Sequence, residues 1–358
     1  MNLNTNRDMW QHLAESNKKI VMYGMGNGAD KILRVCEAKG IEVCDFFASD
    51  GFVRGHSFHG KKVLSYSEAK EKYGAENMIV LLSFASSLES VIDTILRVAS
   101  ECELYAPDVP VFGDTLFDLN FIRERIDKAK EVYSLLEDGE SREIFENVIA
   151  YKLTGDISYL EARVSDKKEV YVELLRAEDI RRYADLGAYN GDTARELAEY
   201  SPRLESAVCF EPDRRNFKKL SAYAETEKRF SVTPVNAAAW SEDTSLLFDA
   251  GGNRNSNVTE GAKKTVQVDA KRLDGVLCGG VDYIKYDVEG SEREALVGSR
   301  ETILEYKPKL LVSLYHRSED IFELPLMIRE RFPNYKLYIR RFRYIPAWDL
   351  DLICIPKE

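Results

Sequence analysis

The chain has 358 residues, 44% of them hydrophobic and 31% charged, the composition of a soluble globular protein, and its length suggests two domains rather than one. Its 61 acidic residues outweigh 50 basic ones for a formal net charge of −11, so polyanions, nucleic acids included, are not expected as partners. No apolar run approaches the ~20 residues of a membrane span, and Met1 to Lys19 lacks the apolar core of a signal peptide, so a cytoplasmic location is expected.

Ile20-Val-Met-Tyr-Gly-Met-Gly-Asn-Gly28 reads as a strand entering a glycine loop, Ala29 to Lys39 as a helix and Ile41 to Phe47 as a second strand. Such a β-α-β unit can hold a nucleotide phosphate on its helix start. The spacing of Gly24, Gly26 and Gly28 departs from the dinucleotide fingerprint, which places its third glycine one residue later. A docking or dimerisation module with a vacated nucleotide cleft fits equally well. Met78 to Leu82 and Ser83 to Arg97 add a strand and a helix, so residues 1–112 are expected to form a small doubly wound domain. Leu119, Ile122, Ile126, Ala129, Val132 and Leu136 then recur at helical spacing, and 113–168 reads as a helical bridge interrupted at Gly139 and Gly155.

Residues 169–358 form the second α/β domain. Tyr183 to Gly187 is its first strand, running into a loop with Gly187 and Gly191 whose glycines would let backbone approach a ligand. Thr193 with Glu196, and later Ser291 with Glu294, read as capping boxes that start the following helices. Further strands are Ser206 to Pro212, Phe230 to Ala238, Val281 to Gly290 and Leu310 to His316. Leu246 to Ala250 and Thr265 to Ala270 make an antiparallel excursion. Tyr335 to Arg340 and Leu350 to Ile355 close the sheet as a hairpin-like pair, which makes it mixed rather than parallel.

In open α/β sheets the ligand lies beyond the carboxyl ends of the strands. Asp185 with Gly187, Glu211, Asn236, Asp287 with Glu289, and His316 stand at those ends. One acid there often caps a neighbouring helix, but five consecutive strand ends carrying polar groups point to a site. Glu211, some 20 residues past the glycine loop, is placed to bind ribose hydroxyls, and a loop without lysine is no P-loop, so the expected ligand is a nucleoside rather than a triphosphate.

The order Asp185-Leu-Gly-Ala-Tyr-Asn-Gly-Asp-Thr193, Phe210-Glu-Pro-Asp213, Asn236-Ala-Ala, Ile284-Lys-Tyr-Asp-Val-Glu-Gly-Ser-Glu292 and His316 resembles the FkbM-type S-adenosylmethionine-dependent methyltransferases from about Val170 onward. The stretch Ser141 to Leu160 with the N-terminal domain is more loosely similar to longer members encoded with surface-polysaccharide genes. The resemblance implies a seven-stranded Rossmann-like sheet with its last strand antiparallel. It also implies that Asp185, Gly187, Ala188, Tyr189, Asn190 and Gly191, with Thr193, hold the methionine part of S-adenosylmethionine. Glu211 with Pro212 would take the ribose, and Asn236 and Ala237 would border the adenine. Asp287 and Glu289, beside Lys285, would lie near the methyl group and the acceptor.

The implied reaction is O-methylation of a carbohydrate or related small molecule. An alcohol acceptor must lose its proton, and His316 is the preferred base, against an equally weighted role as a hydrogen-bonding partner of Asp287 or backbone. A divalent cation on Asp287 and Glu289 ranks lower, because no third ligand can be placed. The pair His56 and His59 lacks the further ligand of a metal site. Asn253 to Asn257 reads first as a surface turn. Arg340, Arg341 and Arg343 with Tyr338, Phe342, Tyr344 and Trp348 read first as a solvated face and core edge. Rival readings are a non-catalytic scaffold of a polysaccharide assembly that keeps the cofactor fold, and an NAD-linked enzyme with His56 or His59 as base. A homodimer through the N-terminal or helical region fits the main reading.

Overall fold

The structure is a computed structural model and describes residues 6–52, 55–249 and 265–357. The excursion loop Asn253 to Asn257 lies outside the described residues. α1 (Met9–Glu15) starts on a true capping box: the Asp8 carboxylate accepts from Gln11 N and the Gln11 side chain accepts from Asp8 N. Next come β1 (Lys19–Tyr23), α2 (Asn27–Ala38), β2 (Val43–Ala48), the small hairpin β3 (Ser57–Phe58) and β4 (Lys61–Lys62), β5 (Leu64–Ser65), α3 (Tyr66–Tyr73), β6 (Met78–Leu82), α4 (Glu89–Glu101) and β7 (Glu103–Tyr105). The main sheet runs β5-β2-β1-β6-β7, every neighbouring pair parallel. All of β6 is buried, because helices cover both faces of a parallel sheet.

The helix expected from Ser83 begins six residues later, at Glu89. Ser86 exchanges both backbone hydrogen bonds with Ile345, at 2.9 and 3.1 Å, so its amide and carbonyl join a distant segment instead of a helical turn. The glycine loop also has a packing explanation. A Cβ on Gly24 would stand 2.7 Å from the Phe84 ring and the Ser83 hydroxyl, and one on Gly28 would run into the Ser83 carbonyl. His59, one candidate base of the NAD-linked reading, is exposed and paired with Asp30 at 2.7 Å.

The middle segment is helical: α5 (Leu119–Glu124), α6 (Ile126–Leu135), α7 (Gly139–Thr154), α8 (Ser158–Ala162) and the single turn α9 (Lys167–Glu169). Gly155 ends α7 at φ +68, the left-handed cap that glycine tolerates without strain.

β8 (Arg182–Leu186), α10 (Asp192–Tyr200), β9 (Ser206–Phe210), α11 (Arg214–Thr226), β10 (Ser231–Val235), β11 (Ala238–Ala239), β12 (Thr244–Asp249), β13 (Thr265–Lys271), β14 (Tyr283–Tyr286), α12 (Glu292–Val297), α13 (Arg300–Tyr306), β15 (Lys309–Ser313), α14 (Asp320–Arg331), β16 (Tyr335–Arg341) and β17 (Leu350–Pro356) complete the chain. The second large sheet has seven strands in the order β10-β9-β8-β14-β15-β17-β16. β17 is antiparallel to both neighbours and the other pairs are parallel, the mixed Rossmann-like sheet expected. Strand order reverses between β8 and β14, which opens a crevice beyond their carboxyl ends.

Candidate active site

That crevice is a cleft of about 660 Å³. Gly187, Tyr189, Thr193, Glu211, Pro212, Ala237, Lys285, Asp287 and Glu289 are among the residues that line it. Ala188, Asn190, Gly191, Asn236, Asp185 and His316 are not among its lining residues, and each has another partner or packing role. Ala188 is fully buried. Asn190 Oδ1 accepts from Arg195 at 2.7 Å. A Cβ on Gly191 would run into the Tyr223 ring, and Asn236 Nδ2 donates to the Glu211 carbonyl at 2.8 Å, tying two strand ends together. At Gly187, φ +94, a Cβ would collide with the Asp287 carbonyl, so this glycine serves the contact of β8 with β14.

Parallel register explains the charges beneath the cleft. Asp185 on β8 and Lys285 on β14 are Cα partners, so their side chains leave the sheet side by side, and Lys285 Nζ lies 3.7 Å from Asp185 Oδ1 and 3.1 Å from Asp287 Oδ2. Burial pushes the Asp185 carboxyl up, against the pull of Lys285. Burial would lower Lys285, but Asp287 and Asp185 outweigh it, so the ammonium keeps its proton. The Thr193 hydroxyl donates to Asp185 Oδ2. The capping box expected of Thr193 and Glu196 is therefore absent: α10 starts at Asp192 without a side-chain cap, and Glu196 pairs with Lys167 at 2.7 Å. Ser291 likewise caps nothing; Glu292 accepts the amides of the turn instead.

Glu211 is 6% exposed, with one carboxylate oxygen accepting from Asp213 N at 2.8 Å. Burial pushes its carboxyl up to about 7. Glu289 also lines the cleft, with 35% of its side chain exposed, and burial pushes its carboxyl to about 7 as well, partly offset by His316. Asp287 stays low: burial would raise it, but Lys285 and His316 prevail. Tyr189, Glu289 and Asp349, all lining the cleft, have φ of +48, +54 and +53, strained conformations of the sort that gather at functional sites.

Residues 185–345 match the family described as the methyltransferase FkbM domain. Over these residues the chain is similar to the FkbM methyltransferases, a likeness that supports methyl transfer as its chemistry. Among solved structures, the crystal structure of methyltransferase FkbM from Methylobacillus flagellatus KT matches at 21% identity and a TM-score of 0.70, covering 94% of this chain and 90% of that one. At that identity the likeness is one of fold, and its extent takes in the N-terminal sheet. A rRNA methylase from Streptococcus thermophilus matches at 11% identity and a TM-score of 0.36 over 55% of this chain and 100% of its own. Fibrillarin from Aeropyrum pernix with bound S-adenosyl-L-methionine matches at 14% and 0.33 over 50% and 68%. No curated protein sequence matches the chain.

His316 does not open on the cleft. It is 1% exposed, beneath Tyr315, with Nδ1 2.8 Å from Glu292 Oε1, an ion-pair contact poorly aligned for a hydrogen bond. Burial would lower its pKa, but Glu292, Glu289 and Asp287 outweigh that and raise it to about 10. An imidazole already protonated at neutral pH has no lone pair for an acceptor hydroxyl. Sequence reasoning missed Lys167, Tyr315 and Asp349, which also line the cleft. Lys167 comes from the helical stretch and Asp349 from the turn before β17, and neither carries a motif. Among the described residues no group of three or more His, Cys, Asp or Glu side chains is arranged to hold a metal ion. Arg340, Arg341 and Arg343 point elsewhere: Arg340 pairs with Asp138 at 2.6 Å, Arg343 with Glu161 at 2.7 Å, and Arg341 donates to backbone carbonyls of Leu160, Phe342 and Tyr344.

Proposed function

We propose that this protein transfers a methyl group from S-adenosylmethionine to a hydroxyl of an uncharged carbohydrate or related metabolite. The observation that carries the reading is Glu211: a nearly buried carboxylate at the carboxyl end of the second strand, facing the cleft, where a ribose diol would find its acceptor. The residues present fit that donor. Among the described residues, Asp192, Glu196, Glu211, Asp213, Asp287, Glu289 and Asp349 line the cleft against Lys167 and Lys285, an excess of negative charge that attracts a sulfonium and opposes an anionic acceptor. Among the described residues, none makes a hydrogen bond to Asp185 Oδ1, which is fully buried.

When bound, S-adenosylmethionine supplies a methyl group already activated by its sulfonium. The protein's own task is to align the acceptor oxygen, worth about 7–11 kcal/mol when geometry is held, and to remove its proton. Glu289 takes the base role in this reading. Its carboxyl, near neutral pKa, opens on the cleft, whereas Asp287 is held ionised and less basic by Lys285 and His316. Lys285 keeps Asp185 and Asp287 in place and takes up no proton.

Titration calorimetry tests the donor. Wild-type protein should bind S-adenosylmethionine and S-adenosylhomocysteine, and Glu211→Ala should weaken both by about 1.5–3 kcal/mol, roughly tenfold to a hundredfold, as expected for losing a charged hydrogen-bond acceptor. Absence of heat and of thermal stabilisation with either nucleoside would favour the scaffold reading.

A further inference from the structure

Behind the turn that carries Glu289 lies a buried knot of charge. His316 brings Nδ1 to 2.8 Å from Glu292 Oε1 and directs Nε2 toward Asp287 Oδ1 at 3.5 Å and Glu289 Oε2 at 3.7 Å. Glu292, 1% exposed, uses the same Oε1 to accept N–H groups of Val288 at 2.9 Å and Gly290 at 3.4 Å, the amides flanking Glu289. Glu289 sits between them at φ +54, where a non-glycine residue remains only if its surroundings hold it. Outer supports complete the holder: Arg317 Nε donates to Gly290 O at 2.9 Å, and Phe112 N donates to His316 O at 2.8 Å.

We propose that His316 is a positioning residue for Glu289. With Glu292 it forms a charge clamp that holds the turn in its left-handed shape and supplies the positive charge beside which Glu289 ionises. The inference rests on the reading of Glu289 as the carboxylate beside the reacting methyl group. The imidazole faces Glu292 from α12, Asp287 and Glu289 from the turn after β14, and Asp320 from the start of α14. Glu289 is surrounded by His316, Asp287, Glu292 and Lys285, and Lys31 of α2 acts on it from the N-terminal sheet. Of the groups acting on Glu289, His316 most opposes the effect of burial, so removing the imidazole leaves a carboxylate harder to ionise in a turn no longer keyed from behind.

The two nucleosides differ by the sulfonium charge, so the ratio of their affinities reports the charge of carboxylates next to the sulfur. Glu211, at the ribose, affects both alike. Measured by calorimetry from about pH 5 to about pH 9, the ratio for wild-type protein should rise through about pH 7. In His316→Gln the midpoint should move up by about one unit or more, with S-adenosylhomocysteine affinity held within about threefold. An unmoved midpoint overturns the clamp. A second arm needs neither nucleoside nor the folding of that variant. With only His12, His56, His59 and His316 in the chain, ¹⁵N-histidine spectra are assigned by elimination with glutamine variants of the first three. The His316 signal should remain that of an imidazolium past about pH 9 and titrate lower in Glu292→Gln, whose amide oxygen can still accept from Val288 and Gly290. A neutral His316 at pH 7 overturns the proposal, whereas wild-type protein that binds neither nucleoside removes the donor reading and leaves the clamp to the spectra.

Discussion

Glu211 and Glu289 line one cleft, and burial has brought both carboxyls to about 7, so near neutral pH each is divided between its protonated and ionised forms. A cation or a hydroxyl donor arriving beside a carboxylate favours its ionised form and lowers its pKa. Donor binding near pH 7 is therefore expected to release protons. Calorimetry in two buffers of different ionisation enthalpy would give different apparent heats for S-adenosylmethionine, and the difference should shrink in Glu211→Gln and Glu289→Gln. Identical heats in both buffers would show that neither carboxyl meets the donor. The identity of these acids was readable from spacing, since each stands just past an apolar run. Their pKa values were not, because burial depends on what other elements pack over them.

The loops after β8 and β14 behave as one piece. Asp287 N donates to Leu186 O at 3.0 Å, and the Asp287 carbonyl occupies the place where Gly187 would carry a side chain. Gly187→Ala combines that overlap with a positive φ, and about 2–4 kcal/mol of lost stability is expected, read as a lower urea midpoint. An unchanged midpoint would mean that the two loops can separate freely. The sequence marked this glycine as a place of close approach but suggested a ligand as the neighbour; backbone came first. Thr193 and Ser291 teach a related lesson. Both stand where a capping box would put them, but the Thr193 hydroxyl is taken by Asp185, eight residues back, and the amides after β14 by Glu292. A local motif states which bonds are available, and competition from packed neighbours decides which form.

At the scale of the molecule, one cluster of buried apolar residues takes members from each of the stretches 1–112, 113–168 and 169–358, among them Val80, Phe145 and Leu337. Arg343 reaches Glu89 of α4 and Glu161 of α8, and Ser86 pairs with Ile345, so the N-terminal part is fastened to the segment that joins β16 to β17. Ionisation should show in the stability of the whole chain. Glu211, Glu289 and Asp351, raised from 4.5, 4.5 and 3.8 to about 7, and the likewise raised Asp320 keep protons in the folded state that the unfolded chain releases. Stability is therefore lost as pH climbs from about 4 to about 7. His316, raised from 6.5 to about 10, adds stability that is complete below about 6.5 and disappears as pH rises through about 10. Glu103 and Glu227, lowered from 4.5 to about 2, contribute stability above about 4.5 that is lost as pH falls through about 2. The ligand-free protein should have its highest Tm near pH 5 in scanning calorimetry; a maximum at about pH 8 or above would contradict these assignments.

The sequence by itself determined the three central strands of the first sheet and all seven of the second, the mixed edge at β16 and β17, and the acids at the strand ends, because these follow from apolar periodicity and from spacing within a few residues; the short edge strands β5 and β7 carry too few residues to show a period. Tertiary structure decided that His316 is a buried cation, that Lys167, Tyr315 and Asp349 enter the cleft, and that α4 starts late. Each of those outcomes depends on electrostatic and hydrogen-bonding partners brought close by folding, and both depend on distance in space rather than along the chain.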